Sequence, residues 1–164
     1  MNRVRRVADR RPVSTRRVAR ADSAEASFAS TPGVRRRMQS QRTRDTAPEL
    51  ALRKALHALG LRYRVDRAPI PGSLRRADIV FARQRVAVYV DGCFWHGCPE
   101  HGTRSKSNTA WWEEKLARVR ARDADTDRAL AEAGWFVVRV WEHEDLRAVA
   151  GNVHDIVRLR RAVG

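Results

Sequence analysis

The run Val86-Ala87-Val88-Tyr89-Val90 is apolar at every position, and a strand without polar alternation needs cover on both of its faces. That points to a sheet lying between helices, and the flanking sequence supplies them. Thr46 and Glu49 have capping-box spacing, Pro48 falls in the first turn, and Leu52, Leu56 and Leu59 recur at helical intervals before Gly60. A helix is expected over 47–59. β-rich runs at 61–66, 77–82 and 85–91 read as a meander, the last two joined by a polar turn at Arg83 and Gln84. Residues 92–108, rich in Gly, Cys, His and Ser, read as a loop. Trp112, Leu116 and Val119 open a long helix over 109–133, ended by Gly134. The run Trp135 to Trp141 is another buried strand, and an amphipathic helix is expected over 152–162. This order predicts an α/β domain with a mixed central sheet flanked by helices.

The chain has 164 residues, 43% of them apolar, and five tryptophans, enough for one domain with a real core. Its formal charge of +15 exceeds what solubility needs and points to a polyanionic partner. Eleven arginines against three acids place +8 of that charge in residues 1–37, which read as a disordered basic arm. The remaining +7 belongs to the folded domain, 38–164. Nucleic acid is favoured over membrane, because no run approaches the roughly eighteen apolar residues needed to span a bilayer. No apolar block follows the basic start as a signal peptide requires, so an intracellular protein is expected.

Asp78 and Asp91 fall toward the outer ends of the expected hairpin, and two acids at one sheet end can make a magnesium site that leaves room for water and substrate phosphate. The same acids could simply cap a turn and end a strand. The segment Cys93-Phe94-Trp95-His96-Gly97-Cys98-Pro99-Glu100-His101 is more specific. Two thiols and a histidine at these intervals suit a tetrahedral zinc, with Cys93, Cys98 and His101 joined by His143 beyond the next strand as fourth ligand. Both cysteines of the chain lie here, which in an intracellular protein argues for metal rather than a disulfide. His96 lies between the thiols and can titrate near neutral pH, as a general base must; a spare histidine in a zinc loop has the same spacing. Phe94 and Trp95 are large aromatics in a polar loop, suited either to core packing or to insertion between bases. Of Trp111 and Trp112, one is expected to face the core and the other solvent or DNA. His57 and His154 read as ordinary polar positions on helices.

The string DGCFWHGCPEH, with TRDTAPE before it and GWFVVRVWEHE after it, strongly resembles the very-short-patch repair endonucleases, which nick DNA beside thymine-guanine mismatches. The resemblance covers about residues 38–147. It implies a three-layer restriction-endonuclease-like fold, magnesium held by the Asp78 carboxylate and the Val90 backbone carbonyl, and His96 as general base. Glu49 matches the family's active-site helix glutamate, and Phe94, Trp95 and Trp112 fall where the family wedges aromatics into the duplex. This chain has Asp91 where the best-studied pattern has a histidine before GCFWH, so Asp91 is either a further metal ligand or a supporting charge near it.

The resulting expectation is a magnesium-dependent, zinc-stabilised mismatch endonuclease, monomeric, cytoplasmic and nucleoid-associated. Its substrate would be T:G-mismatched double-stranded DNA, with mismatch-repair proteins as further partners and the basic arm adding nonspecific affinity. The alternatives are a restriction-type or other structure-specific nuclease on the same fold, and a zinc-stabilised DNA-binding module without catalysis. Asp78 and His96 together speak against the pure binder, which needs neither a magnesium site nor a base.

Overall fold

The computed structural model describes residues 44–102 and 108–162, together with Gly33 and Arg36, and the chain divides into two units, Met1–Gln39 and Ser40–Gly164. The arm expected over 1–37 lies, apart from Gly33 and Arg36, outside the described residues. In the second unit the elements run α1 (Ala47–Ala58), β1 (Arg64–Arg67), β2 (Ala77–Phe81), β3 (Val86–Asp91), α2 (Cys93–His96), α3 (Thr109–Glu132), β4 (Phe136–Trp141) and α4 (Leu146–Ala162).

The strands form one mixed sheet in the order β1-β2-β3-β4. The first three make the expected antiparallel meander, with Val65 opposite Ile79 and Val80 opposite Ala87. β4 then returns parallel to β3, Val86 pairing with Phe136 and Asp91 with Trp141. A parallel return needs a long crossover, and α3 provides it. Both faces of β3 are covered, as its unbroken apolar run requires. Val86 and Val88 pack with Leu52 and Leu56 of α1 and Val149, Val153 and Val157 of α4. Ala87 and Tyr89 point the other way, into a smaller core with Ala77, Val80 and Leu130 of α3. Period-two alternation thus divides one strand between two hydrophobic layers.

Four local expectations are corrected. Leu59 does not continue the apolar stripe of α1: the helix ends at Ala58, Leu59 becomes its C-cap and stays exposed, and Leu61 is buried instead. The capping box does not form, since Thr46 makes no side-chain cap bond; instead Glu49 Oε1 accepts from the Thr46 hydroxyl at 2.9 Å and Oε2 from the Asp45 N–H at 3.0 Å. α4 begins at Leu146 rather than at 152, because Gly151 is tolerated within a helix whose Val149 and Ala150 are already buried. The segment after β3 is likewise not all loop, since Cys93–His96 forms one helical turn.

Candidate active site and metal centre

The site sits where β3 and β4 end side by side. At the open end of the β2–β3 hairpin the Asp78 Oδ2 accepts the backbone N–H of Val90 at 2.7 Å. Burial, reinforced by the charges of Glu49 and Asp91, pushes the Asp78 carboxyl up to about 6 despite that bond. Acids from α1, β2 and β3 thus lie close enough to act on one another, two of them, Glu49 and Asp91, almost wholly buried. Glu49 is held by Arg53 at 2.9 Å in addition to its contacts with Thr46 and Asp45. Asp78, by contrast, has a buried carboxylate whose charge is disfavoured. A divalent cation would relieve that, so its hard oxygen donors fit such an ion.

Asp91 faces the other way along the sheet end. Both of its oxygens accept from Arg139 Nη1, at 3.0 and 2.9 Å, and Oδ1 lies 3.4 Å from His96 Nδ1. The same ring nitrogen is 2.7 Å from Asp123 Oδ2 on α3. A carboxylate at that distance accepts from a protonated Nδ1, and Nε2 is the nitrogen left to meet another group. An acid from a distant helix thus orients the ring.

One turn of helix brings the thiols together. α2 closes at Gly97, in the left-handed region at φ 66, and the Cys98 N–H donates to Cys93 O at 2.9 Å. A side chain at Gly97 would be strained by that φ and its Cβ would meet Arg120 Nη1 at 2.9 Å. The ligand atoms of Cys93, Cys98, His101 and His143 lie within 4.8 Å of one another. His143 Nδ1 is 3.1 Å from Cys93 Sγ and 3.8 Å from Cys98 Sγ, close to the edges of about 3.4 to 3.8 Å of a tetrahedron around zinc. Its other nitrogen lies 3.6 Å from Glu100, the outer carboxylate that commonly orients a metal-bound imidazole. The four residues can hold a metal ion.

Beside this centre Phe94 stands edge-on to Trp95 and to Trp112, each at 5.0 Å between centroids, and Trp95 is 6.2 Å from Trp112. All three are half-buried and none belongs to either core cluster. Trp111 does not face the core either: it stands edge-on to Trp112 at 4.9 Å between centroids, under the Lys115 ammonium. Outside the site, His57 packs on Tyr63 and His154 pairs with Asp155.

Sequence reasoning missed Asp123 and Arg139. A signal existed, for Arg139 is the lone charge in the run Trp135 to Trp141; that strand proves half-buried rather than buried, with only Val140 fully covered, but a charge in an otherwise apolar strand still demands partners. What periodicity cannot reveal is which helix face supplies them.

Among known proteins the chain is 44% identical over 147 residues to the type II nicking enzyme V.NaeI of Lentzea aerocolonigenes, covering 87% of this chain and 89% of the relative. It is 42% identical over 126 residues to V.XorIIP of Xanthomonas oryzae pv. oryzae, covering 73% and 88%. To the DNA mismatch endonuclease Vsr of Escherichia coli K12 it is 38% identical over 108 residues, covering 64% and 66%. The chain is therefore a hydrolytic DNA endonuclease with a restriction-endonuclease-like architecture. Residues 30–101 match the family described as DNA mismatch endonuclease Vsr, and the chain belongs to that family. Among the described residues no helix is long and apolar enough to cross a membrane.

Proposed function

We propose that this protein nicks one strand of double-stranded DNA beside a T:G mismatch, by magnesium-assisted hydrolysis of a phosphodiester. The observation that carries the reading is the continuity of the site: the Asp78 carboxylate repels Asp91, and Asp91 and Asp123 together face His96 Nδ1. A cation site and an oriented base therefore share one sheet end. Asp78 and the backbone carbonyl of Val90 would hold magnesium. When bound, that ion supplies charge neutralisation at the phosphate and lowers the pKa of coordinated water.

The remaining chemistry belongs to the chain. His96 Nε2 accepts a proton as a water oxygen bonds to phosphorus and the scissile P–O bond breaks, and Asp123 stabilises the imidazolium so formed. Asp91, taken up by Arg139, serves as a supporting charge rather than a metal ligand. Glu49 adds negative charge beside Asp78 and fixes the start of α1. Phe94, Trp95 and Trp112 form the wedge that enters the duplex where stacking is already weakened. Zinc, held by Cys93, Cys98, His101 and His143, supplies a structural tie under that wedge.

The test is nicking of matched, T:G and other mismatched duplexes, with magnesium or with chelator, and location of the break. A single break beside the thymine in T:G duplex, dependent on magnesium, is expected. V.NaeI and V.XorIIP both carry the name of type II nicking enzyme, which favours site-specific nicking as the second reading. Equal nicking of matched duplex at a fixed sequence would replace mismatch selection with that one.

A further inference from the structure

Arg139 stands in the middle of β4, directly across the parallel ladder from Tyr89, between Val140, a core residue, and Val138, which packs against the core. A charge placed there is costly unless it is fully engaged. Its Nε donates to both oxygens of Asp127 at 3.1 and 2.9 Å, and Nη1 to both oxygens of Asp91 at 3.0 and 2.9 Å. Nη2 reaches the backbone carbonyl of Asp123 at 3.4 Å and its Oδ1 at 3.8 Å. The guanidinium carbon lies 4.7 Å over the Tyr89 ring. One fork thereby joins the last residue of β3 to adjacent turns of α3.

Two of those carboxylates, Asp91 and Asp123, are the pair that faces His96 Nδ1, at 3.4 and 2.7 Å. Carboxylates this close repel unless a cation lies between them. Arg122 also touches Asp123, at 3.2 Å, but from an exposed side chain that does not reach Asp91. Arg139 is the cation that spans both.

We propose that Arg139 is a positioning residue of the cleavage reaction, fixing Asp91 and Asp123 in one piece and through them setting the orientation of the His96 ring. The role needs the planar fork, because a lysine ammonium is a point charge and cannot serve Asp91, Asp123 and Asp127 in divergent directions. The inference rests on the reading of His96 as proton acceptor.

It is tested by single-turnover nicking at saturating protein, alongside DNA affinity and thermal melting, for Arg139→Met and Arg139→Lys, each alone and combined with His96→Ala. Misplacement of a reacting group costs about 10²-fold, so both variants are expected to lose about that in rate with affinity changed less than about twofold. Combined with His96→Ala they should cause no further loss, since the effect passes through the ring. Arg139→Lys retains the charge and supplies a folded variant if Arg139→Met melts. A folded Arg139→Lys that nicks at full rate overturns the proposal, as does a loss that multiplies with that of His96→Ala. Failure of the underlying reading shows separately, as full activity of His96→Ala alone.

Discussion

The Asp78 carboxylate and the Val90 backbone meet at the hairpin end, with the carboxylate oxygen accepting the Val90 N–H at 2.7 Å. The side chain takes a hydrogen bond that the sheet ladder would otherwise make, which pins a buried acid where the strand ends. Asp78→Asn keeps an acceptor for that N–H but removes the charge. Nicking should be abolished and DNA affinity retained, as read by single-turnover cleavage and by binding to uncleavable duplex.

The same acid sets a pH dependence. Its pKa is raised by burial, from the ordinary 3.8 to about 6, so its stabilising contribution is complete below the unfolded value and is lost as pH rises through 6. At pH 8 the ionised carboxylate costs of order 3 kcal/mol, which Asp78→Asn escapes. The variant should therefore melt no lower than wild type at pH 8 and lose that advantage at about pH 4. Magnesium competes with the proton for Asp78, so it should raise the melting temperature at about pH 8 far more than at about pH 5.

His96→Ala should lower the nicking rate by about 10² to 10⁴-fold with little change in affinity. Asp123→Asn should lose a comparable amount, because an amide oriented to donate to Nδ1 selects the wrong tautomer. Rates that are unchanged in Asp123→Asn would mean that the 2.7 Å contact to His96 serves packing alone.

Freshly purified protein should contain one zinc per chain by elemental analysis, and Cys98→Ala should lower thermal stability more than it lowers the rate per folded molecule. Without a cation, burial and the neighbouring Cys98 push the Cys93 thiol up to about 11. Binding must drive that proton off, so chelators should strip the metal more readily as pH falls. Preparations with no zinc would remove the structural role.

Trp95→Ala should lose affinity and rate chiefly on mismatched DNA. Its ring lies outside both cores, so the melting temperature should fall much less than for truncation of a core aromatic, which costs about 3 to 5 kcal/mol. Retention of full T:G preference by the folded variant would exclude Trp95 from the wedge.

The fold was legible wherever one period governs a segment. The unbroken run of β3, the meander before it and the 24 residues of α3 follow from apolar spacing and turn residues alone. The Cys and His cluster that can hold a metal was legible for a similar reason, as three of its members lie within one short segment and His143 follows the adjacent strand. Asp123 and Arg139 were not, because their meeting depends on how α3 is rotated over the sheet. Nor was the assignment of Asp91: its chemistry suits a cation or an arginine equally, and only the parallel pairing of β3 with β4 decides which lies beside it.

That parallel pairing also has a topological consequence for the metal centre. Cys93 and His143 are 50 residues apart in the chain, and the whole of α3 and β4 lies between them. A metal held by both ends closes this stretch into a ring, which in chain-entropy terms restricts the unfolded ensemble by as much as a disulfide of that span, about 4 kcal/mol. The ring contains the helix that carries Asp123 and Trp112. Loss of the ion would release a whole crossover from its tether, taking the partner of the base and one face of the aromatic wedge with it.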